Sequence, residues 1–293
     1  MPDLQQPDLG QATRVGPAEE HTEGRFILRF TRAQRYLHAV LFTTFLGLAG
    51  TGLPLRFSQS IWARRFASGV GGFGAILFFH KLCAIVLTLA FLIHVKDIFS
   101  RALVHREKGI FWGPTSMVGN WKDVKDLFGH LRWFIGLGPR PKFERYAYWE
   151  KFDYWAVFWG MIVIGFSGYA MWFAPFFARF LPGWALNAVL VIHSEEGLLA
   201  ILFIFSIHFV NTHLRPDSFP MDMVIFTGVE EEAEFEVKRP EEFARMVSQQ
   251  KLESRLGQKP PVWLVNFSRV VGTIAILIGL TLLVLTLTAY FGE

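Results

Sequence analysis

GGFGAILFFHKLCAIVLTLAFLIHV, residues 71–95, is the stretch on which the fold turns. Its 25 residues hold one charge, Lys81. Crossing the hydrocarbon core of a bilayer takes about 20 apolar residues. Four more blocks of this kind follow the same rule: about 36–55, 155–177, 184–210 (interrupted by Glu195 and Glu196) and 262–291 (interrupted by Arg269). Buried helices of a large soluble enzyme rarely run this long without a polar stripe. The expected fold class is therefore an all-α integral membrane protein, a transmembrane bundle of five helices. Composition agrees, with 52% apolar and only 18% charged residues among 293. So much aromatic and so little charged sequence excludes a disordered chain. A single cysteine, Cys83, excludes a disulfide framework, a thiolate-held iron–sulfur cluster and a c-type haem attachment motif.

The basic residues carry the topology. The N-terminal segment, the 96–151 loop and the 215–269 segment hold 24 of the 29 Lys and Arg, against 4 in the alternate connections. The positive-inside rule then places the N-terminus and both long connections in the cytoplasm, and the C-terminus outside. Such bases read as topology signals and lipid headgroup contacts, so a nucleic-acid partner is not expected. Residues 1–25 read as a polar mobile tail. Trp112, Trp121, Trp133 and Trp149 among the bases of the 96–151 loop suit a layer at the membrane surface. The acidic run from Glu230 to Glu242 reads as a solvated face of a charged cytoplasmic segment, 231–261.

Ionisable groups inside a membrane are costly and mark function. Here they are mainly histidines. His80 and His94 lie 14 residues apart, about 21 Å along a helix and near a whole number of turns. His193 and His208 lie 15 apart, about 22 Å. Two histidine levels result: an outer one with His80 and His193, and an inner one with His38, His94, His208 and His213. Neutral imidazole is a strong haem-iron ligand, and facing helices of a bundle are where such cofactors sit. Two bis-histidine haems stacked across the membrane satisfy the arrangement. Divalent-metal transport using Glu195 and Glu196 competes, as does a non-redox membrane anchor whose histidines serve packing.

The residues also resemble a family. Arg29-Phe30-Thr31, Arg35-Tyr36-Leu37-His38, Leu48-Ala49-Gly50-Thr51-Gly52, Phe79-His80-Lys81, Tyr154-Trp155, Phe166-Ser167-Gly168, the run Tyr169 to Pro182 with Trp172, Leu190-Val191-Ile192-His193, Gly197 and Ile207-His208 are similar, over about 25–230, to the cytochrome b membrane subunit of formate dehydrogenases. The cytochromes b of nickel–iron hydrogenases and thiosulfate reductases are relatives of that subunit. The resemblance implies a four-helix haem-binding core, 26–230, plus an extra C-terminal helix, 262–293. It implies two b-type haems, the outer held by His80 and His193, the inner by His38 and His208. A π-bulge would absorb the one-residue-longer step from His193 to His208. His94 departs from the pattern: with His208 it would give the ligand set of bc-complex cytochromes, and with His213 it could hold a third haem. The family also implies a quinone such as menaquinone near the inner haem. Its Asn and Gln positions are Ala147 and Glu150 here, leaving Glu150, Asp153 and His213 as the quinone-site candidates. The implied function is electron transfer across a bacterial or archaeal cytoplasmic membrane, between quinone and an outer iron–sulfur or multihaem cytochrome c subunit docked on the 56–70 and 175–186 loops. The chain would be one subunit of a hetero-oligomeric, quinone-linked oxidoreductase complex. Glu195 and Glu196 would lie near the outer haem, with Lys81 as an ion-pair partner.

Overall fold

The structure, a computed structural model, describes residues 24–215 and 218–291. The expected tail, but for its last two residues, lies outside the described residues. A short strand, β1 (Phe26–Leu28), leads into α1 (Arg32–Arg56), α2 (Ile61–Gly69) and α3 (Gly72–Phe99), which continues through a π-helical turn to Val104. After a loop come α4 (Trp121–Phe134), α5 (Tyr148–Gly160), a π-helical turn over Met161–Gly165, α6 (Phe166–Trp172) and α7 (Ala174–Phe177). α8 (Gly183–Phe203) returns and ends in π-helical turns at Ile204–His208 and Val210–Leu214. α9 (Val224–Thr227), β2 (Val229–Glu231), α10 (Glu232–Lys238), α11 (Pro240–Ser248) and β3 (Leu256–Gly257) precede α12 (Val262–Phe291).

Five helical stretches are long and apolar enough to cross a membrane: Arg32–Arg56, Gly72–Val104, Tyr148–Trp172, Gly183–Leu214 and Val262–Phe291. The protein is an all-α bundle with five candidate membrane spans. The third span ends before the expected Phe177. Phe173 leaves helical geometry (φ −104°, ψ 36°), and Pro175, which has no N–H to donate, suits the first turn of α7.

Caps set the other ends. Thr31 and Gln34 form a reciprocal box at the start of α1, with Thr31 N–H donating to Gln34 Oε1 (2.9 Å) and Gln34 N–H to Thr31 Oγ1 (3.3 Å). Asn120 and Asp123 do the same for α4. Inside the bundle, Leu53, Leu198, Ile201, Phe205 and Phe209 form the main buried cluster, with Ile276, Leu280 and Leu283 of α12 against it. α12 gets close because it presents small residues: a Cβ on Gly279 would stand 2.7 Å from Phe209. Buried Ser268 and Thr286 on the same helix return their hydroxyl protons to Leu264 and Leu282 carbonyls, so no polar group is stranded.

One end of the bundle is capped. β1 lies between β2 and β3 in an antiparallel sheet, and Ile27 packs with Phe235 and Met246. Gly228 (φ +84°) turns the chain into β2, and its carbonyl accepts from Arg29 and Phe30 N–H. A Cβ there would sit 2.8 Å from Phe30 O, so only glycine fits. Two of the acidic residues expected in solvent are buried. Glu242 accepts from Arg29 Nη1 (2.7 Å) and Arg145 Nη1 (3.0 Å), while each arginine also donates to the other's main-chain carbonyl (2.9 and 2.7 Å). Glu230 lies against Lys238 (3.1 Å) and Arg29 (3.7 Å). The boundary expected at 230/231 thus falls inside β2, and Arg25, expected in the tail, is paired with Glu232 and Glu253. Guanidinium groups cannot be neutralised and hold two acceptors at once, which is why they tie the three basic regions together at this end.

Candidate cofactor site

A cavity of about 2500 Å³ runs between α1, α3, α5, α6 and α8. It far exceeds an ordinary ligand pocket of roughly 300–1000 Å³. His38, His80, His94, His193, His208 and His213 all line it, among mainly apolar side chains.

At the uncapped end, His80 of α3 faces His193 of α8 with ring centroids 6.3 Å apart and planes at 79°. Their Nδ1 atoms are both spent. Thr51 Oγ1 donates its proton to Gly47 O (2.6 Å), so it can only accept from His80 Nδ1–H at 2.9 Å. His193 Nδ1–H donates to Ile164 O (2.9 Å), within the π-helical turn, and lies 3.3 Å from Ser167 Oγ. Each imidazole is therefore held as the tautomer with a bare Nε2 lone pair, as a metal ligand requires. Two imidazoles bound through Nε2 to opposite sides of one metal atom, with bonds of about 2 Å, bring their centroids to roughly 6 Å. The observed 6.3 Å matches. Glycines leave room for the rings: a Cβ on Gly168 would lie 2.9 Å from His193 Cε1, and one on Gly52 3.2 Å from His80 Cε1. Residues, tautomers and spacing at this pair fit a bis-histidine haem.

At the capped end the histidines form a looser group. His38, His208 and His213 line the cavity there. Asp153 Oδ2 accepts from His208 Nδ1 (2.9 Å), again freeing Nε2. His213 stands 6.0 Å from His208, centroid to centroid. It is buried, and its Nδ1 has no hydrogen-bond partner among the described residues; neither has Asp153 Oδ1. His94 stands apart. Its Nε2 bonds Tyr154 Oη (2.9 Å), and its ring packs on Tyr154 and Phe158. The π-helical turn Ile204–His208 lies between His193 and His208, where the extra residue of the 15-residue step must be absorbed.

The remaining candidates divide. Asp153 sits beside His208, but Glu150 is committed elsewhere: it caps α5 through Ala147 N–H (2.7 Å) and pairs with Arg239 (2.7 Å). Lys81 does not pair with Glu195 or Glu196. It lies 4.8 Å above the Trp172 ring, which stacks with Tyr169 and Phe173. Arg56 takes Glu195 (2.9 Å) and donates to Ser194, while Glu196 accepts from Trp159 Nε1 (3.3 Å). The longer Arg56 reaches from the end of α1, whereas Lys81 points into the aromatic stack. Sequence reading gave no role to Thr51, the Ile164 carbonyl, Ser167 or Tyr154. Thr51-Gly52 and Ser167-Gly168 carry the one usable signal, a small hydroxyl beside a glycine on two spans.

No protein-family model matches the chain, and no curated protein matches it.

Proposed function

We propose that this chain is a di-haem b-type cytochrome subunit that passes electrons across a membrane between quinone or quinol and a partner redox subunit. The observation that supports it most is the His80–His193 pair, with both Nδ1 protons spent and ring centroids 6.3 Å apart. In this reading His80 and His193 hold one haem, and His38 and His208 the other. Haem, when bound, supplies a one-electron redox couple. The chain supplies the rest. Thr51 and Ile164 O hold the two imidazoles in rotation and tautomer. Asp153 makes His208 a stronger donor by accepting its Nδ1 proton. Apolar walls keep water out and the local dielectric low. Asp153 and His213 stand where a quinone could exchange protons, whereas Glu150 is tied up by its cap and by Arg239.

The capped end is closed by arginines of the basic segments, Arg29, Arg145 and Arg239 among them, and in this reading it faces the cytoplasm. The partner, an iron–sulfur or multihaem cytochrome c subunit, would then dock outside, on α2 and α7. Exposed Ile61, Phe66 and Phe176 lie there. A divalent-cation route through Glu195 and Glu196 is less well supported, since Arg56 takes the one and Trp159 Nε1 the other.

A reduced-minus-oxidised visible spectrum of the purified chain, with haem extracted and counted, tests the reading. Two low-spin b haems per chain are expected. Absence of a b-type band would sink it and leave an anchor or a cation carrier.

A further inference from the structure

α4 is built inside out. The side turned to the rest of the protein is polar. Asp123 accepts from Lys151 (2.9 Å), Asp126 pairs with Lys122 (2.7 Å), and buried His130 lies 3.2 Å from Tyr148 Oη with its ring on Trp149 and Phe134. The side turned away is apolar. Trp121 (70% exposed), Val124, Phe128 (60%), Leu131 and, one residue past the helix, Ile135 (68%) follow at three- and four-residue steps. One edge of this row carries exposed Lys125 and Arg132. A water-facing helix shows the opposite arrangement, with its apolar stripe against the protein.

We propose that α4 lies in the headgroup–acyl boundary of the leaflet into which α5 descends. Its outward row sits in lipid, and Lys125 and Arg132 rest on anionic phospholipid headgroups. Three observations carry this. First, Lys122, Asp123, Asp126 and His130 of α4 have partners within the protein, so the inward side carries the helix's acid and imidazole groups and the outward row is left apolar. Second, the face is continuous with a candidate membrane span. Trp155, seven residues into α5, donates its indole N–H to Met117 O (3.0 Å), so the segment just before α4 sits level with the second turn of that span. Exposed Phe152 and Trp155 on α5 and Trp112 on the loop extend the apolar face. Third, aromatic residues with an edge of cations match the chemistry of the interface, where indole rings and basic heads settle among phosphates. Through Lys151 and Trp149 the helix also grips the first turn of α5, next to Asp153. The lipid surface thereby helps hold the carboxylate that meets His208.

The test uses the full chain with Cys83→Ala, reconstituted in nanodiscs of phosphatidylcholine and phosphatidylglycerol. Single cysteines at Val124→Cys, Phe128→Cys and Leu131→Cys carry a nitroxide, with Gln249→Cys as a solvated reference. Power saturation then compares access by oxygen and by a water-soluble nickel chelate. The three α4 labels are expected to show an oxygen-to-nickel ratio several-fold above the reference, and three positions guard against one variant misfolding. A ratio equal to the reference overturns the proposal in favour of a solvated helix. Exclusion of both reagents overturns it in favour of a covering protein, a second copy or another subunit. The ratio at Phe128→Cys should also fall about twofold in discs of phosphatidylcholine alone, and in Lys125→Gln/Arg132→Gln in the mixed discs; no change in either removes the anionic headgroup. None of these readings depends on haem content.

Discussion

The two ends of the cavity use the same side chain in opposite ways. At the uncapped end, two histidines face each other, each locked by an acceptor inside the helices, Thr51 Oγ1 or Ile164 O. Among the described residues, neither ring hydrogen-bonds a carboxylate. At the capped end, three histidines gather, one bonded to Asp153 and one with an unpartnered buried nitrogen. A neutral lock keeps an imidazole as a fixed ligand, whereas a carboxylate raises its basicity and offers a place for a proton. Under the proposed function, the difference suits an end that only relays electrons and an end that couples them to protons. The surroundings differ likewise. Both groups stand on the candidate spans, but only the second lies toward the end closed by the Arg29–Glu242–Arg145 clasp.

The largest effect should come from the paired ligands. His80→Ala or His193→Ala is expected to remove one of two haems and abolish transmembrane electron flow, read by haem quantification and quinol-driven reduction of the partner side. His38→Ala is expected to remove the other haem, while His94→Ala keeps both, because His94 Nε2 is engaged by Tyr154. Loss in His94→Ala but not His38→Ala would reverse that assignment and redraw the comparison.

Next comes the clasp. Glu242→Gln leaves two buried guanidiniums without their shared anion and is expected to cost about 3–5 kcal/mol. Thermal unfolding should report it, with haem at the capped end lost first. Asp153→Asn is milder. Both haems stay, and the capped-end midpoint rises by about 60 mV, the one-electron equivalent of a tenfold shift. An equal shift at the other end would erase the contrast. The smallest effect concerns Glu230, whose carboxyl is pushed above the ordinary carboxylate range by burial, against the pull of Lys238 and Arg29. The folded chain thus holds that proton more tightly than the unfolded one. The stability so contributed is full below the ordinary carboxylate range and is lost as pH rises through the raised value. Melting temperature in Glu230→Gln should therefore fall less over that rise than in the parent protein.

Much of this was legible in the chain. The 71–95 stretch and its four companions announced five spans because lipid enforces a length of apolar sequence that little else demands. The third span was read displaced toward the C-terminus, at 155–177 against Tyr148–Trp172, since an apolar run reveals neither the polar first turn of α5 nor where Phe173 leaves the helix. The histidine levels were legible through helical rise. Their locks were not: Thr51 lies 29 residues from His80, and a carbonyl such as that of Ile164 has no sequence signature. The acidic run was misread for a similar reason, because burial of Glu230 and Glu242 depends on arginines distant in the chain.

The sequence by itself determined that this chain carries five spans long and apolar enough to cross a membrane and that histidines are the main ionisable groups within them, because hydropathy and helical rise are local properties. Tertiary structure alone decided that His80 and His193 stand 6.3 Å apart, that Asp153 belongs to His208, that His94 belongs to Tyr154, and that α4 turns its apolar side away from the protein. Those are relations between helices, set by how glycines, π-helical turns and buried ion pairs let distant segments approach.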